Sequence, residues 1–308
     1  MIYDCAIVGG GIAGTQAAVQ LGRYRHSVVV IDAADGRSTM CRKYHNLLGF
    51  PDGIGGPELR AIGRKQAERL GVQYIRGRAT AARQEDDGFL VTVGDLAEVR
   101  ARRLLIATGV KDRLPDLPAL MPCLGISVFV CPDCDGYEVA DRRTLVLGAG
   151  EAGLSMALEL THWTHNIVYI NHEMKPVSVD KLAGLIEQGI AYIEQPIREL
   201  LTEDDRLKGV LLADGSVMAG DRAFVAFGGN DVRSSLAGQL GAKLAGNRHI
   251  VVDPRTKMTS VRHVWAAGDV TLHSEQAAVA MGDGNQAAIW MHKSLIGHVN
   301  WSKAGTLS

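Results

Sequence analysis

The chain has 308 residues, of which 46% are hydrophobic and 22% are charged, as expected for a globular enzyme of two ordinary domains. Its 33 basic and 34 acidic side chains nearly cancel, so neither a nucleic acid nor an anionic membrane surface is the expected partner. No run of about 18 apolar residues predicts a membrane span, and the chain opens without a leader pattern, so we expect a cytoplasmic protein.

An apolar strand, a glycine-rich turn and a helix open the chain. Residues 2–8 are typical of a buried parallel strand, and a helical period of 3.6 residues follows the turn. The turn has the G-x-G-x-x-G pattern and consists of Gly9, Gly10, Gly11, Ile12, Ala13 and Gly14. In this pattern the first glycine allows a tight turn, the second lets a pyrophosphate approach the backbone, and the third lets helix and strand pack closely.

A second strand, residues 27–31, ends in Asp32. An acid about 20 residues beyond the glycines can accept hydrogen bonds from a ribose. Strand, turn, helix, strand and acid together predict a dinucleotide site. The alternative is that the glycines only pack a helix on a sheet.

The middle of the chain contains a pair of cysteines with C-x-x-C spacing. It follows an apolar strand that ends in Ala107, Thr108 and Gly109, and a proline-rich linker over residues 114–118. Such a pair is a redox couple or half of a metal site, and no second pair supplies the ligands that zinc requires. We therefore predict no metal and a dithiol/disulfide formed by Cys131 and Cys134, with Asp135 as an adjacent proton donor.

A second glycine pattern, Gly148, Gly150 and Gly153, follows the cysteines and leads to a strand over residues 166–170. That strand ends in residues 171–173, Asn-His-Glu, where a site selecting a 2′-phosphate would require arginine. The acid at Glu173 disfavours NADPH. Two alternatives stay open: the loop binds NADH with Glu173 on a ribose, or it no longer holds a dinucleotide.

The domain order follows from these units. Late in the chain, residues 263–267 form another strand, which ends in Gly268 and Asp269 before a helix over residues 275–295. We predict an α/β fold of two Rossmann-like, three-layer ββα dinucleotide-binding domains, the second inserted into the first. The first domain is predicted at residues 1–115 and 245–308, and the inserted domain at residues 116–244.

With these motifs the chain resembles the low-molecular-weight thioredoxin reductase family over nearly its whole length. The motifs that carry the resemblance are residues 9–14, 107–109, 131–136 and 266–270, with Gln276 and Ala277. The resemblance implies FAD in the first domain, with its pyrophosphate on residues 9–14. It further implies cofactor contacts from Asp32, Asn46, Ala107, Thr108, Gly109, Gly268, Asp269, Gln276 and Ala277. Of these, Asp32 would face the adenosine ribose, Asp269 the ribityl chain, and Asn46, Gln276 and Ala277 the flavin.

The resemblance also implies roles for the redox residues and a homodimer. Cys134 would be the sulfur next to the flavin, Cys131 the exchanging sulfur, and Asp135 the acid that protonates a departing thiolate. The NADPH-dependent members carry His-Arg-Arg where this chain has residues 171–173. The Pro-Asp inside the redox motif also resembles branches that use ferredoxin or oxidise small dithiols. Some nucleotide-independent relatives place a tail aromatic over the flavin, which makes Trp301 a candidate contact.

The predicted function is that of a thioredoxin-disulfide reductase-like oxidoreductase. Electrons would pass between FAD and the Cys131–Cys134 pair, and then to a disulfide in thioredoxin or a similar partner, without NADPH. Ferredoxin is a candidate donor, and NADH stays open. Two alternatives remain: a dithiol oxidase that uses oxygen and a small-molecule substrate, and a flavoprotein redox sensor.

Overall fold

The computed structural model of the chain describes residues 1–86, 88–95 and 97–298. The strands, in chain order, are β1 (Ile2–Val8), β2 (Val28–Asp32), β3 (Gln73–Arg76), β4 (Ala79–Glu85), β5 (Gly88–Val93), β6 (Ala97–Ile106), β7 (Val110–Lys111), β8 (Val128–Phe129), β9 (Thr144–Gly148), β10 (Ile167–Asn171), β11 (Ala191–Ile193), β12 (Ile197–Glu203), β13 (Arg206–Leu212), β14 (Val217–Ala219), β15 (Arg222–Ala226), β16 (Asp231–Val232) and β17 (Val264–Ala266). The helices are α1 (Ile12–Arg23), α2 (Gly56–Glu68), α3 (Leu120–Cys123), α4 (Pro132–Asp135), α5 (Gly150–Glu159), α6 (Val179–Glu187), α7 (Ser235–Gln239) and α8 (Ala277–Leu295).

These elements divide into two compact units. Unit 1 comprises Met1–Thr39, Ile54–Lys111 and the chain from Asp231 onward. Unit 2 comprises Met40–Gly53 and Asp112–Asn230. No described helix combines the length and the apolar character that crossing a bilayer requires.

Unit 1 has three layers. Its central sheet runs β3-β2-β1-β6-β17 with all neighbours parallel, and the amino-terminal half of β6 also pairs antiparallel with β5, which pairs with β4. Side chains of β1 alternate between the two faces of the sheet. Cys5 and Ile7 pack with apolar residues of α1 and α8, whereas Ala6 and Val8 pack with residues of β5. Helices, parallel sheet and antiparallel strands are therefore stacked around two apolar cores.

Unit 2 repeats this plan. Its parallel sheet runs β11-β10-β9-β15-β8, and β12, β13 and β14 form a separate antiparallel sheet. Val146 and Tyr169 pack with α5 on one face, and Leu145 and Leu147 pack with the antiparallel strands on the other. The predicted α/β fold of two Rossmann-like, three-layer units is confirmed.

The limits of the compact units differ from the predicted limits of 116 and 245. Residues 231–244 belong to unit 1, because Val232 of β16 pairs with Val110 of β7 and Leu236 is buried in the same core. Residues 40–53 belong to unit 2. A two-residue strand leaves no periodic signal in a sequence, so the sequence pattern gave no reason to group residues 231–244 with unit 1. That each unit is a separate functional domain stays a prediction.

Candidate active site

The first glycine turn needs glycine for steric reasons at both of its ends. Gly9 has φ +107°, and a Cβ there would lie 2.2 Å from the carbonyl oxygen of Ala107. A Cβ on Gly14 would lie 1.9 Å from the carbonyl oxygen of Gly9. Both contacts are far inside the van der Waals distance, so β1, α1 and β6 can meet in this way only if these positions lack side chains.

Gly11, the middle glycine, lies against open space. The nearest atom to a Cβ there is the Ser38 Oγ, at 3.9 Å, which is ordinary contact. Gly11 is also the residue that precedes α1, and the first N–H groups of a helix have no acceptor within the helix. An open backbone at the positive end of a helix dipole is suited to an anion such as a pyrophosphate.

Asp32, the candidate ribose ligand, also braces the glycine turn. Its Oδ1 accepts hydrogen bonds from the N–H groups of Gly10 (3.1 Å) and Ala34 (3.2 Å). Its Oδ2 accepts one from Arg60 Nη2 at 2.6 Å, and Arg60 Nε donates to the carbonyl oxygen of Gly10 at 3.1 Å. Sequence reasoning missed Arg60, which lies on α2, because no spacing rule connects it with the turn.

Residues 107–109 lie at the carboxyl end of β6, beside the glycine turn. Ala107 donates its N–H to the carbonyl oxygen of Val8 at 2.8 Å. Thr108 donates its hydroxyl to the carbonyl oxygen of Arg233 at 2.6 Å, and Gly109 accepts the Arg233 N–H at 3.1 Å. The segment of residues 107–109 is thus held in place by β1 and by the segment after β16.

Gly268 and Asp269 follow β17 at the same edge of the sheet. Gly268 has φ +78°, and a Cβ there would lie 2.9 Å from the Cβ of Ala13 at the start of α1. Arg37 donates to Asp269 Oδ2 at 3.1 Å. Burial raises the pKa of Asp269, although the positive charge of Arg37 opposes this. Gln276 precedes α8, which Ala277 begins.

Most of the cofactor residues predicted in unit 1 therefore meet at the carboxyl ends of β1, β2, β6 and β17. Asn46 lies in the 40–53 segment of unit 2, and Trp301 lies outside the described residues. Their roles stay predictions. Gly284, a small residue of α8, packs against α1, because a Cβ there would lie 2.1 Å from the carbonyl oxygen of Ala13.

The second glycine turn has the same tight packing at its ends. A Cβ on Gly148 would lie 2.7 Å from the Cα of Gly153, and a Cβ on Gly153 would lie 2.4 Å from the Tyr169 ring. Tyr169 is fully buried, and its hydroxyl donates to the carbonyl oxygen of Gly150 at 2.7 Å. The turn thus has Rossmann geometry.

Gly150, however, is covered where its counterpart Gly11 is open. A Cβ on Gly150 would lie 3.0 Å from the Cβ of Lys175 and 3.1 Å from the carbonyl oxygen of Pro176. The buried Asn171 joins the two segments: its Oδ1 accepts the Gly150 N–H at 2.9 Å, and its Nδ2 donates to the Lys175 carbonyl oxygen at 2.7 Å. Residues 175–176 thus lie against Gly150.

Glu173, the other candidate ribose ligand, is already paired with cations. Lys175 Nζ lies 2.7 Å from Glu173 Oε2, and Arg113 donates a hydrogen bond to Glu173 Oε1. The pKa of Glu173 is lowered, first by the hydrogen bond from Lys175 and then by Arg113. Burial lowers the pKa of His172, whose Nδ1 accepts the N–H of Ile197 at 2.8 Å.

The redox cysteines lie in a tight helical turn of unit 2. Cys131 precedes the short helix α4, and its carbonyl oxygen accepts the N–H groups of Cys134 (3.2 Å) and Asp135 (3.0 Å). Both cysteines are partly exposed. The pKa of Cys131 is raised, first by its hydrogen bond to Cys134, and then by burial and by negative charge on Cys134. The surroundings of Cys131 therefore favour its protonated form.

Asp135 has the properties of a proton donor at neutral pH. Burial, and next the negative charge of Glu138, raise its pKa to about 7. The turn that follows is fixed by Trp163, because a Cβ on Gly136 would lie 2.6 Å from its indole ring. Sequence reasoning missed Trp163, which directly follows a short 3-10 segment that has no periodic pattern.

Comparison with known proteins places the chain in a family. The model of the pyridine nucleotide-disulphide oxidoreductase family matches residues 3–284. The chain belongs to that family. It is also 29% identical over 301 residues to the thioredoxin reductase of Mycolicibacterium smegmatis, covering 94% of this chain and 95% of the relative.

Solved structures agree with this assignment. The crystal structure of HlmI matches with a TM-score of 0.87 and 31% identity, covering 96% of this chain and 93% of that chain. The thioredoxin reductase of Streptococcus pyogenes matches with a TM-score of 0.86 and 25% identity, covering 97% and 99%. The chain is thus a thioredoxin reductase-like oxidoreductase.

The family implies a flavin cofactor, and unit 1 fits one. The open backbone at Gly11 precedes a helix, Asp32 ends β2, and Asp269 follows β17 at the same edge of the sheet. In unit 2 the corresponding glycine, Gly150, lies against residues 175–176. The middle glycines of the two turns therefore differ in their surroundings.

Proposed function

We propose that the chain is an FAD-dependent thiol–disulfide oxidoreductase that works without NADPH. Electrons pass between FAD and the Cys131–Cys134 pair, and the pair exchanges with a disulfide in a partner such as thioredoxin. The observation that carries this proposal is the contrast between Gly11, which is open, and Gly150, which is covered, in a chain with a C-x-x-C motif.

FAD would be held by unit 1. Its pyrophosphate would lie on residues 9–14, its adenosine ribose near Asp32 and its ribityl chain near Asp269. The proposed contacts near the flavin are Asn46, residues 107–109, Gln276, Ala277 and Trp301. When bound, FAD supplies the two-electron chemistry that restores the dithiol.

The covered turn of unit 2 argues against a nicotinamide donor. Lys175 and Pro176 lie over Gly150, and Glu173 stands where a 2′-phosphate would need a cation. Coverage of Gly150 disfavours NADH as well as NADPH, because both carry the pyrophosphate. A protein donor such as ferredoxin does not require this turn.

Thiol exchange begins when the cysteine pair has lost one of its two protons. Cys134 keeps the other, and the Cys131 thiolate attacks one sulfur of the substrate disulfide. The substrate S–S bond breaks as a Cys131–substrate bond forms. Asp135 gives its proton to the leaving sulfur, which its pKa of about 7 allows at neutral pH.

The second step releases the substrate. Cys134 returns a proton to Asp135 and attacks the sulfur of Cys131, so that the Cys131–substrate bond breaks and the Cys131–Cys134 bond forms. The second substrate sulfur leaves as a thiolate and takes its proton from water. Two electrons have then passed from the cysteine pair to the substrate, and Asp135 has its original proton.

Anaerobic mixing tests the proposal directly. The oxidised flavoprotein is combined with NADPH, NADH or reduced ferredoxin, and the flavin absorbance is followed, with dithionite as the control that defines full reduction. We expect ferredoxin to bleach the flavin and both nicotinamides to leave it oxidised. Rapid bleaching by NADPH would overturn the nucleotide-independent proposal.

The covered turn fits a second function equally well. A dithiol oxidase takes its electrons from the substrate, so it too needs no nicotinamide site. In that direction the substrate dithiol becomes a disulfide and oxygen becomes hydrogen peroxide. Oxygen uptake with a small dithiol such as dithiothreitol, at one peroxide per disulfide formed, would favour this direction over the reductase.

A further inference from the structure

One buried carboxylate in unit 1 lies outside the residues discussed so far. Asp283, on α8, is 5% exposed. Its Oδ2 accepts a hydrogen bond from the Gly268 N–H (3.2 Å) and lies 2.5 Å from His273 Nε2. The Thr271 hydroxyl, which donates to the Gly268 carbonyl oxygen at 2.9 Å, lies 3.4 Å from the same Oδ2. Its Oδ1 lies 2.7 Å from Lys257 Nζ. This carboxylate thus has four partners.

Three of those partners lie in one loop. Residues 268–276 connect β17 with α8, and Asp283 binds the first N–H of this loop and two of its side chains. The loop contains Asp269 and ends at Gln276, with Ala277 following as the first residue of α8. The Asp283 side chain therefore fixes the segment that leads to Ala277 and carries Asp269 and Gln276, three of the proposed cofactor contacts.

The charges in this cluster favour an ionised carboxylate. Burial alone would favour neutral Asp283, but hydrogen bonds from His273 and Lys257 outweigh it and lower the pKa of Asp283. The same hydrogen bond raises the pKa of His273. Lys257 holds a left-handed backbone, with φ +60°, which a lysine rarely adopts without a compensating contact. The pairing with Asp283 supplies such a contact.

We propose that Asp283 is a positioning residue for the cofactor: through Gly268, Thr271 and His273 it fixes the 268–276 loop in the conformation that binds FAD. Lys257 balances its charge. This inference rests on the proposed function, because it takes the loop to be part of the FAD site. It adds a residue that lies behind the site and that no glycine or redox motif reveals.

The test measures the dissociation constant of FAD for apoprotein variants by flavin fluorescence quenching. Loss of several charge-assisted hydrogen bonds in Asp283→Ala should weaken FAD binding about 10-fold or more. Asp283→Asn keeps an acceptor for the Gly268 N–H, so it should recover part of that loss. Ser294→Ala is the matched control, because Ser294 is buried on the same helix and bonds Arg103 instead. It should change FAD affinity by less than about 2-fold.

A pH profile separates positioning from a general loss of stability. The charged groups that face His273 are Asp283, Lys257 and Asp269. In the wild type, FAD affinity should fall as the pH rises above the ordinary histidine pKa of about 6.5 and His273, whose pKa is raised, loses its proton. His273→Ala, which removes only one partner of the carboxylate, should bind FAD more weakly at neutral pH and show a flatter profile.

The outcomes distinguish the two proposals. Wild-type apoprotein that takes up no FAD would refute the proposed function. If the wild type binds FAD and a folded Asp283→Ala variant binds it with equal affinity, the positioning role alone would be refuted. If Asp283→Ala does not fold, Asp283→Asn and His273→Ala provide the test. Wild-type FAD affinity and a wild-type pH profile in both variants would then refute the positioning role.

Discussion

The backbone of Gly150 lies directly beneath Lys175: a Cβ on the glycine would come within 3.0 Å of the lysine Cβ. The equivalent position in unit 1, Gly11, has no neighbour closer than 3.9 Å. The two turns share their glycine spacing and their tight ends, but their middle glycines differ both in what lies against them and in backbone conformation, with φ −72° at Gly11 and +53° at Gly150. That difference makes a pair of substitutions informative.

Gly11→Ala should weaken FAD binding and keep its stability, whereas Gly150→Ala should lose stability and keep its FAD. Gly11 has an ordinary φ of −72° and room for a methyl group, so Gly11→Ala should leave the free energy of unfolding nearly unchanged. Its methyl would occupy the cradle and weaken FAD binding about 10-fold or more. Gly150 has φ +53°, so Gly150→Ala should lose about 1–2 kcal/mol of stability and keep its FAD. Urea denaturation and flavin content of the purified variants measure both effects.

Asp135→Asn should slow thiol exchange and change its pH dependence. The pKa of Asp135 is raised to about 7, so the protonated acid is present below that pH and is lost as the pH rises through it. The wild-type rate of thiol exchange should therefore fall as the pH rises through about 7. The variant should be slower by about 10²–10⁴-fold and should lack this limb of the profile. Stopped-flow measurement of dithiol oxidation by a neutral disulfide reports both.

Asp133→Asn is the control for that measurement. Asp133 lies in the same short helix but is exposed, and its substitution should preserve both the rate and the profile within about 2-fold. An Asp135→Asn variant with the wild-type profile would show that another group supplies the proton.

Local patterns made the fold and the residues of the glycine turns predictable. The apolar run of β1, the glycines that follow it and the period of α1 lie next to one another in the sequence, and steric limits at Gly9 and Gly14 leave few other conformations. The C-x-x-C motif is equally local. These features carry their physical cause within about 20 residues.

Features that depend on distant partners could not be predicted. The cover on Gly150 comes from residues 175–176, and nothing in the glycine pattern indicates it. Arg60 reaches Asp32 from another helix, and Asp283 reaches Gly268 from the far side of a loop. Residue type and spacing do not encode such contacts, which tertiary packing alone brings together.

Arg60→Met should destabilise the first glycine turn. Arg60 donates to both Asp32 and the Gly10 carbonyl oxygen, and only 16% of its side chain is exposed. Loss of these charge-assisted bonds should lower the free energy of unfolding by about 1–3 kcal/mol and weaken FAD binding. Arg64→Met, on the exposed face of the same helix, should cost under about 1 kcal/mol and leave FAD affinity unchanged. Equal effects of the two substitutions would contradict a bracing role.

The Asp283–His273 pair should make stability depend on pH in both directions. His273 has a raised pKa, so its contribution to the free energy of unfolding is complete below its ordinary value of 6.5 and is lost as the pH rises through the folded value. Asp283 has a lowered pKa, so its contribution is complete above its ordinary value of 3.8 and is lost as the pH falls. Denaturant unfolding of His273→Ala should therefore lack the alkaline decline that this pair gives the wild type. Tyr24 directly follows α1, the first helix of unit 1, and Tyr24→Phe should retain the alkaline decline. Loss of the decline in this variant would show that the pH dependence has another origin.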